Sequence, residues 1–215
     1  MRLAHRRRLI IVIGSGIVLT VLLVVGLYGL LRAGPGGNEP AQPQEASMSL
    51  RAPVLAARPR PILETSDPAE FATRVARALL TWDTRYTGDS SKWEQVVVEA
   101  ADADEAVAVA SDVRAYLPAP SMWKRLAAYG TRQRFEVQSL KVPSTWSTAL
   151  EQATPGQIPS SAAAVTVVGT RHREGLWKAE HVRTTRAVAL TVFAVCPKGH
   201  PCSVLRLSLP DRPLP

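Results

Sequence analysis

Two cysteines six residues apart have the spacing that most directly suggests a chemical site. Cys196 and Cys202 enclose the segment PKGHP, and the chain contains no other cysteine. Together with His200 they offer three ligands for zinc, one fewer than a closed tetrahedral site needs. A short loop with a glycine between two strand ends instead brings the cysteines opposite each other, as a disulfide requires. We therefore predict a Cys196–Cys202 disulfide, with His200 as an ordinary loop histidine.

The other polar residues do not form a recognisable catalytic arrangement. Glu180 and His181 are adjacent, but neighbours in a strand point to opposite faces and cannot pair directly as acid and base. The acidic residues Asp102, Asp104 and Glu105 lack the glycine and spacing of a calcium loop, and helix capping explains them better. The sequence contains no G-x-S-x-G, P-loop, H-E-x-x-H or Rossmann motif. We therefore predict no catalytic residue, no cofactor and no metal site.

The five tryptophans are the remaining candidates for a ligand site, because aromatic side chains can form a cage. They are Trp82, Trp93, Trp123, Trp146 and Trp177. Each lies on or beside an apolar face of a predicted element, so core packing explains them better than ligand binding. We also expect the inward-facing positions to be apolar, which argues against a small-molecule pocket lined by converging polar groups.

A strong helix signal begins at Asp67. Asp67 as cap, Pro68 at the first helical position and Glu70 three residues after the cap are typical of a helix start. Apolar residues then recur at helical spacing as far as Tyr86, and Gly88 is predicted to end the helix. Leu80 falls on the opposite, exposed side of this helix. The amphipathic stripe predicts that the helix packs against a core.

Three shorter helices are predicted before residue 130. The first begins at Ser90 or Ser91, the second is capped by Asp102 or Asp104, and the third is capped by Ser121. Pro118 and Pro120 end the second helix, and Gly130 has the C′ position of the third.

After residue 130 the periodicity of apolar residues changes to two, which is typical of strands. We predict strands over residues 131–142, 162–172, 176–196 and 203–209, a turn at 173–175, and one helical turn near Trp146. Strands in sequence order joined by short turns predict an antiparallel sheet with one covered face. Helices followed by strands predict an α+β domain, with helices packed on a four-stranded antiparallel sheet.

Residues 9–31 form a run of 23 residues without a charge, long enough to cross a bilayer as a helix. Four arginines precede the run and one follows it directly, which predicts a cytoplasmic N-terminus. A cleaved signal peptide is the alternative, but the run is too long and Arg32-Ala33-Gly34 is a poor cleavage site. We predict a cytoplasmic tail (1–8), a retained transmembrane helix (9–31), a Pro-rich extracytoplasmic linker (32–66) and a folded domain (67–215).

The basic net charge belongs mainly to the N-terminal segment. The chain carries a formal charge of +8, and residues 1–32 contain five of its 26 basic residues and none of its acidic ones. The remainder has 21 basic and 18 acidic residues, a net charge of +3. A solvated surface of mixed charge explains this balance better than a nucleic-acid face. We therefore expect no direct binding of nucleic acid.

Five stretches of the sequence resemble a known family. They are FATRVARALLTWDT (71–84), ASDVRAYLPAP (110–120), YGTRQ (129–133), VGTRHREGLW (168–177) and FAVCPKGHPCSVLRLS (193–208). They are similar to the conjugal transfer proteins of actinobacteria, bitopic NTF2-like subunits of conjugative type IV secretion channels. The resemblance implies an NTF2-like domain with a curved sheet and a scaffold role through self-association and contacts with other channel subunits. It implies no catalytic residue.

Together these observations predict a single-pass cell-membrane protein, a non-enzymatic scaffold subunit of a DNA transfer apparatus. Its expected partners are the membrane, copies of itself and other channel subunits, with no small-molecule substrate. The hypothesis gives no chemical role to His181, Glu180 or Asp83. The alternatives are an anchored NTF2-like protein that binds or converts a small ligand, and an accessory protein of a lipid importer.

Overall fold

Residues 57–215 are the part of the chain that the computed structural model describes. The predicted tail, transmembrane helix and linker up to residue 56 lie outside them, and no helix within them is long and apolar enough to cross a bilayer. The helices are α1 (Pro68–Leu80), α2 (Ser91–Val98), α3 (Ala106–Tyr116), α4 (Pro120–Ala128) and α5 (Trp146–Gln152). The strands are β1 (Trp82–Asp83), β2 (Arg132–Lys141), β3 (Ala162–Trp177), β4 (Glu180–Val195) and β5 (Ser203–Leu207). The α+β class is confirmed, with five strands in the sheet where four were predicted.

The start of α1 is the predicted one. The Asp67 carboxylate accepts hydrogen bonds from the N–H groups of Ala69 (2.7 Å) and Glu70 (3.0 Å), as an N-cap does. The reciprocal half of the capping box is different, because the Thr65 hydroxyl accepts the Asp67 N–H and donates to Glu70. Thr65, which the sequence analysis places in the linker, therefore supports the start of the helix.

The end of α1 differs from the prediction, since the helix stops at Leu80 and not near Gly88. Thr81 is extended, and Trp82 and Asp83 pair with Gln133 and Arg132 of β2. Thr and Trp favour extended backbone, and the hydrogen bonds of the sheet decide against continuing the helix. Trp82 is still buried, so the helical spacing of apolar residues continued past the helix end by coincidence.

The prediction that Leu80 is exposed is wrong. Helix α1 lies between the sheet and other helices, with contacts to β2, β3 and β4 and to α2 and α3. Its second side is therefore covered as well, and Leu80 is buried in the same core as Phe71 and Val75. An amphipathic pattern describes a helix with one covered face, and α1 has more than one.

The shorter helices occur where they were predicted, but two of their caps differ. Glu105 is the N-cap of α3, while Asp102 accepts the Asp104 N–H in a turn before the helix. Helix α4 begins at Pro120, whose fixed φ suits the first helical position, so the predicted cap Ser121 lies inside it. At the other end, Gly130 has φ +54° and the predicted C′ position, where the structure forms a Schellman motif.

The sheet is an antiparallel meander in the order β1-β2-β3-β4-β5. Strands β3 and β4 pair without interruption from Ala162↔Val195 to Trp177↔Glu180. The predicted turn at 173–175 is therefore wrong, because the chain turns at Lys178 and Ala179, which have φ values of 47° and 67°. Two-residue hairpin turns need this left-handed backbone and usually signal it with Asn or Gly, which this turn lacks.

Part of the second face of the sheet is covered, contrary to the single covered face expected. Trp146 of α5 packs against Phe193, with ring centroids 5.8 Å apart. The C-terminal segment crosses the same region, where the Leu214 N–H donates to the Thr191 hydroxyl at 2.8 Å. The buried hydroxyls of Thr166 and Thr191 are 2.9 Å apart, so polar groups between the two layers are satisfied locally.

The curl of the sheet is associated with two bulges and one glycine. The register shifts between Val137 and Ser139 of β2 and between Phe193 and Ala194 of β4. Bulges bend a strand and increase its twist. Beside the first bulge, the Phe135 ring lies across Gly169, where an added Cβ would be 2.6 Å from the ring and in contact with the Glu136 carbonyl oxygen. Only a residue without a side chain fits at this position.

We predict that Gly169→Ala lowers the free energy of unfolding by about 3 kcal/mol, because the methyl group overpacks against Phe135 and backbone. The control is Gly156→Ala, where φ is +83° and nothing lies within 4 Å of the added Cβ. That change should cost only about 1–2 kcal/mol of left-handed backbone strain. Denaturant unfolding of the two variants tests this, and an equal cost would show that Gly169 tolerates a side chain.

Candidate functional site

The predicted disulfide between Cys196 and Cys202 is confirmed, with their Cα atoms 4.1 Å apart. His200 is exposed in the intervening loop. Within residues 57–215 no group of three or more His, Cys, Asp or Glu side chains could hold a metal ion. The Cys202 N–H donates to the Thr65 carbonyl at 2.8 Å, so the disulfide loop contacts the segment that begins α1. The cysteines therefore have a structural position, beside the entry of the chain into the domain.

Glu180 and His181 lie at the start of β4 and are both exposed. Their registered partners across the hairpin are Trp177 and Leu176, so each pair lies on a different face of the ribbon. The two side chains therefore do not meet, as the strand reading predicted.

Three of the five tryptophans are in the core, as predicted. The rings of Trp82 and Trp93 lie 5.4 Å and 5.1 Å from that of Trp123, and all three side chains are buried. Trp146 is partly buried against the sheet, whereas Trp177 is 49% exposed near the hairpin turn. Core packing therefore explains Trp82, Trp93 and Trp123 but is wrong for Trp177.

The largest concentration of polar side chains surrounds a cavity of about 540 Å³ beside the β3–β4 hairpin, here called the arginine cavity. Residues of strands β1 to β4 line it, and Ala57 lies at its edge. Its lining residues are Ala57, Thr81, Trp82, Asp83, Arg85, Arg132, Gln133, Arg134, His172, Arg173, Glu174, Arg183, Thr184 and Thr185. The expectation that inward-facing positions are apolar is therefore wrong at this end of the domain, and the argument from it against a pocket does not hold.

Asp83 is the most deeply buried charge of the cavity, with 1% of its surface exposed. Its carboxylate accepts hydrogen bonds from the Arg85 guanidinium, the Arg85 N–H and the Ala57 N–H. Burial by itself raises the pKa of Asp83, but these hydrogen bonds outweigh burial and hold the pKa below its ordinary value of 3.8. Asp83 is thus an ionised structural group that joins the incoming chain to β1.

Arg173 is half-buried and lies in one cross-strand row with Gln133 and Trp82, on the face of the sheet opposite to that of Asp83, Arg132 and Glu174. Its guanidinium carbon is 5.1 Å from the centre of the Trp82 ring, and two of its nitrogens donate to the Gln133 side-chain oxygen. The Gln133 amide in turn donates to the Leu80 carbonyl at the end of α1, at 2.8 Å. Burial lowers the pKa of Arg173, and the neighbouring charge of Arg171 lowers it further.

The other charged side chains of the cavity are paired with one another. Glu174 accepts a hydrogen bond from Arg132 and lies 3.4 Å from Arg183. At the rim, Glu136 lies 3.6 Å from Arg134 and 3.3 Å from Nε2 of His172, although the orientation of that nitrogen makes no hydrogen bond. The buried Nε1–H of Trp82 also has no hydrogen-bond partner within the described residues.

An exposed apolar surface adjoins this cavity, here called the hairpin patch and formed by Tyr129, Trp177 and Val182. The rings of Tyr129 and Trp177 are 4.9 Å apart, and all three side chains are exposed. Trp177 and Val182 share one face of the hairpin, since Val182 pairs with Gly175, two residues before Trp177. The Leu176 N–H donates to the Tyr129 carbonyl at 2.9 Å, which holds the hairpin against the end of α4.

The sequence carried a signal for the cavity that the strand pattern alone did not reveal. In β2 the alternation that buries Phe135 also buries Gln133, two residues earlier. A polar residue at a core-facing strand position indicates a buried hydrogen-bond network. The sequence analysis assigns Arg173 and Glu174 to a turn, and a turn does not predict that they pair with Gln133 and Arg132 of β2.

Comparison of the chain with protein-family models, with curated proteins and with solved structures finds no significant match.

We predict that Asp83→Asn lowers the free energy of unfolding by about 2 kcal/mol or more at pH 7, because it weakens charge-assisted hydrogen bonds to a buried group. A depressed pKa means that ionised Asp83 stabilises the fold above about pH 3.8, and this contribution is lost as the pH falls through the lower, folded-state pKa. The deficit of the variant should therefore shrink in acid.

Denaturant unfolding between pH 7 and pH 3 measures this effect. The control is Asp104→Asn, an exposed carboxylate whose loss should change the unfolding free energy by less than about 0.5 kcal/mol. A deficit for Asp83→Asn that stays constant with pH would contradict the role of the charge.

Proposed function

We propose that the chain is a non-enzymatic, membrane-anchored scaffold subunit of a conjugative, type IV secretion-like DNA transfer apparatus. Its N-terminus is cytoplasmic, residues 9–31 cross the cell membrane once, and the folded domain is extracytoplasmic. The uncharged run of 23 residues and the arginines that precede it support this topology. The disulfide is consistent with a domain outside the cytoplasm, because disulfides persist in oxidising compartments.

We assign the domain to the NTF2-like folds as part of this proposal. Two features of the described residues support the assignment: four of the five helices precede the long strands of the sheet, and the antiparallel sheet curls around α1. The five stretches that resemble conjugal transfer proteins provide the link to a secretion channel. Fold analogy alone does not specify a function, so a functional surface must carry the argument.

The observation that carries the proposed scaffold role is the hairpin patch. Exposed apolar side chains that are grouped together, with aromatic residues among them, are characteristic of protein–protein contact sites. Tyr129 and Trp177 supply two adjacent aromatic rings, and Val182 extends the surface along β4. We assign this patch to contact with another subunit of the apparatus, either a second copy of this chain or a different channel protein.

Anchoring compensates for the small size of the patch. Confinement to the membrane raises the effective concentration of one subunit near another, so individually weak contacts suffice for assembly. An unanchored domain loses this advantage although its contact surface is intact. The scaffold role therefore depends on both the anchor and the patch.

We predict that deletion of the gene blocks DNA transfer and that the full-length chain restores it. Residues 53–215 secreted without the anchor should fail to restore transfer, because the tether is missing. His181→Ala and Glu180→Ala in the full-length chain should leave transfer largely intact, since neither side chain has a chemical role. Transfer frequency in a mating assay is the measurement, and rescue by the unanchored domain would disprove the tethering mechanism.

We predict that Trp177→Ser in the full-length chain lowers transfer at least tenfold, because buried tryptophans at contact centres commonly contribute 2 kcal/mol or more. Val107→Ser is the matched control, since Val107 is 83% exposed on α3 and lies outside the patch. Both variants should reach normal abundance in the membrane. Equal transfer by the two variants at equal abundance would exclude the hairpin patch as the contact surface.

A further inference from the structure

We propose that β2 pairs with β2 of a second copy of this chain, so that two domains share one continuous antiparallel sheet. The inference deepens the proposed scaffold role by naming a partner and the surface that meets it, and it rests on the membrane anchoring that belongs to that role. The surface is the outer edge of residues 134–141, here called the β2 edge. None of its residues belongs to the hairpin patch.

The β2 edge is open within the described residues. Strand β1 covers only Arg132 and Gln133, and beyond them β2 pairs with β3 alone. No backbone hydrogen bond of residues 134–141 leads anywhere else in the described part of the chain. Alternate N–H and C=O groups of an edge strand point away from its neighbour, and they can pair with a strand of another chain.

The opposite edge of the sheet is covered by the protein itself. The Val204 N–H of β5 donates to the Ala100 carbonyl at 2.8 Å, and the Val204 carbonyl accepts from the Asp102 N–H at 2.9 Å. Farther along β5, the Leu207 N–H donates to the Asp112 carboxylate at 3.0 Å. The helix layer therefore protects β5, whereas no described residue protects the β2 edge in this way.

The bulge in β2 determines which residues of the edge share a face of the sheet. Val137 and Ser139 pair with consecutive residues of β3, so one extra residue is inserted between them. Val137 and Leu140 therefore both lie on the helix-facing side, although a regular strand would place them on opposite faces. Glu136 and Lys141 lie together on the other side for the same reason.

A two-fold pairing centred on Ser139 is complementary on both faces. It places Glu136 opposite Lys141 of the second copy and Val137 opposite Leu140 of the second copy, and the symmetry repeats each contact. Glu136 and Lys141 are exposed, so both charges are free to meet. Leu140 is 40% exposed, and the pairing would cover it. Main-chain hydrogen bonds thus provide the affinity, and these side chains fix the register.

The neighbouring registers of β2 lack this complementarity. A pairing centred on Val137 would place Arg134 opposite Lys141, and like charges directly opposite each other are destabilising. A pairing centred on Leu140 would place Glu136 opposite residue 143, beyond the end of the strand. Neither register provides a pair of opposite charges.

Residues 180–190 of β4 are a second open stretch within the described residues, because β5 pairs only from Val192 onward. One register there would place Glu180 opposite Arg186 of a second copy. The same register places Arg183 opposite its own copy, where two cations repel each other. Charge complementarity therefore favours the β2 edge.

The test is disulfide crosslinking of the full-length chain in membranes, with a cysteine introduced by Ser139→Cys. Because the two native cysteines are bonded to each other, the introduced thiol is the only free one. At the two-fold axis the Cα atoms of residue 139 would be about 4.5–5.5 Å apart, which a disulfide can span. We expect a dimer on a non-reducing gel that dithiothreitol converts to monomer.

Arg134→Cys is the matched control, since it is exposed on the same edge. In the proposed register its copy would be more than about 20 Å away, so it should not crosslink. Absence of a crosslink from Ser139→Cys, at normal abundance in the membrane, would overturn the proposal. Equal crosslinking by Ser139→Cys and Arg134→Cys would overturn it too.

Exchange of the two opposite charges tests the register. In the Ser139→Cys chain, Glu136→Lys should lower the crosslinked fraction at least threefold, because it places two lysines opposite each other twice. Lys141→Glu should have the same effect through opposed carboxylates. The double variant Glu136→Lys, Lys141→Glu should restore the crosslink, which a merely unfolded domain would not do. A double variant that stays as low as the single ones would contradict the pairing.

Crosslinking is measured independently of DNA transfer, so the two proposals fail separately. Normal transfer without the crosslink at residue 139 would overturn the pairing and leave the scaffold role in place. A chain that crosslinks as expected but is dispensable for transfer would support the pairing and overturn the proposed function.

Discussion

The pairing of a two-residue strand, Trp82–Asp83, with β2 is the interaction on which the other features of the domain depend. It ends α1, directs the chain from the helix layer into the sheet, and brings Trp82 and Asp83 to the wall of the arginine cavity. The Gln133 amide donates to the Leu80 carbonyl, one of the acceptors that the helix end leaves free. The oxygen of the same side-chain amide accepts a hydrogen bond from Arg173, so this single junction connects α1, β2 and β3.

The pairing of β1 with β2 also explains why Asp83 is a buried charge. Asp83 leaves water when β1 joins the sheet, and Arg85 together with the Ala57 and Arg85 N–H groups replaces its hydration. Such an arrangement is stable because every lone pair that leaves water finds a donor. Arg173 differs, since its contacts are a neutral amide and an aromatic ring. The sheet therefore carries an anion held by charged donors on one face and a cation held by neutral groups on the other.

The β3–β4 hairpin carries residues of both the arginine cavity and the hairpin patch. Arg173 and Glu174 line the arginine cavity, and only two residues separate Glu174 from Trp177 of the hairpin patch. The uninterrupted register of β3 and β4 makes this hairpin one continuous ribbon. A protein on the patch would thus contact the two strands that also line the cavity, on a support anchored to α4 through the Tyr129 carbonyl.

Local patterns in the sequence by themselves determined the helix start at Asp67, the helix end at Gly130, the change to strands after residue 130 and the disulfide. Each depends on neighbours a few residues apart, through capping, left-handed backbone or loop closure. The tertiary structure alone decided that α1 stops at Leu80, that the hairpin turns at Lys178 and Ala179, and that Gln133 joins Leu80 to Arg173. The physical reason is that the helix end and the Gln133 contacts depend on hydrogen bonds between segments about 40 to 50 residues apart, and the turn depends on the continuous pairing of β3 with β4. The free energy of these pairings overrides local propensity.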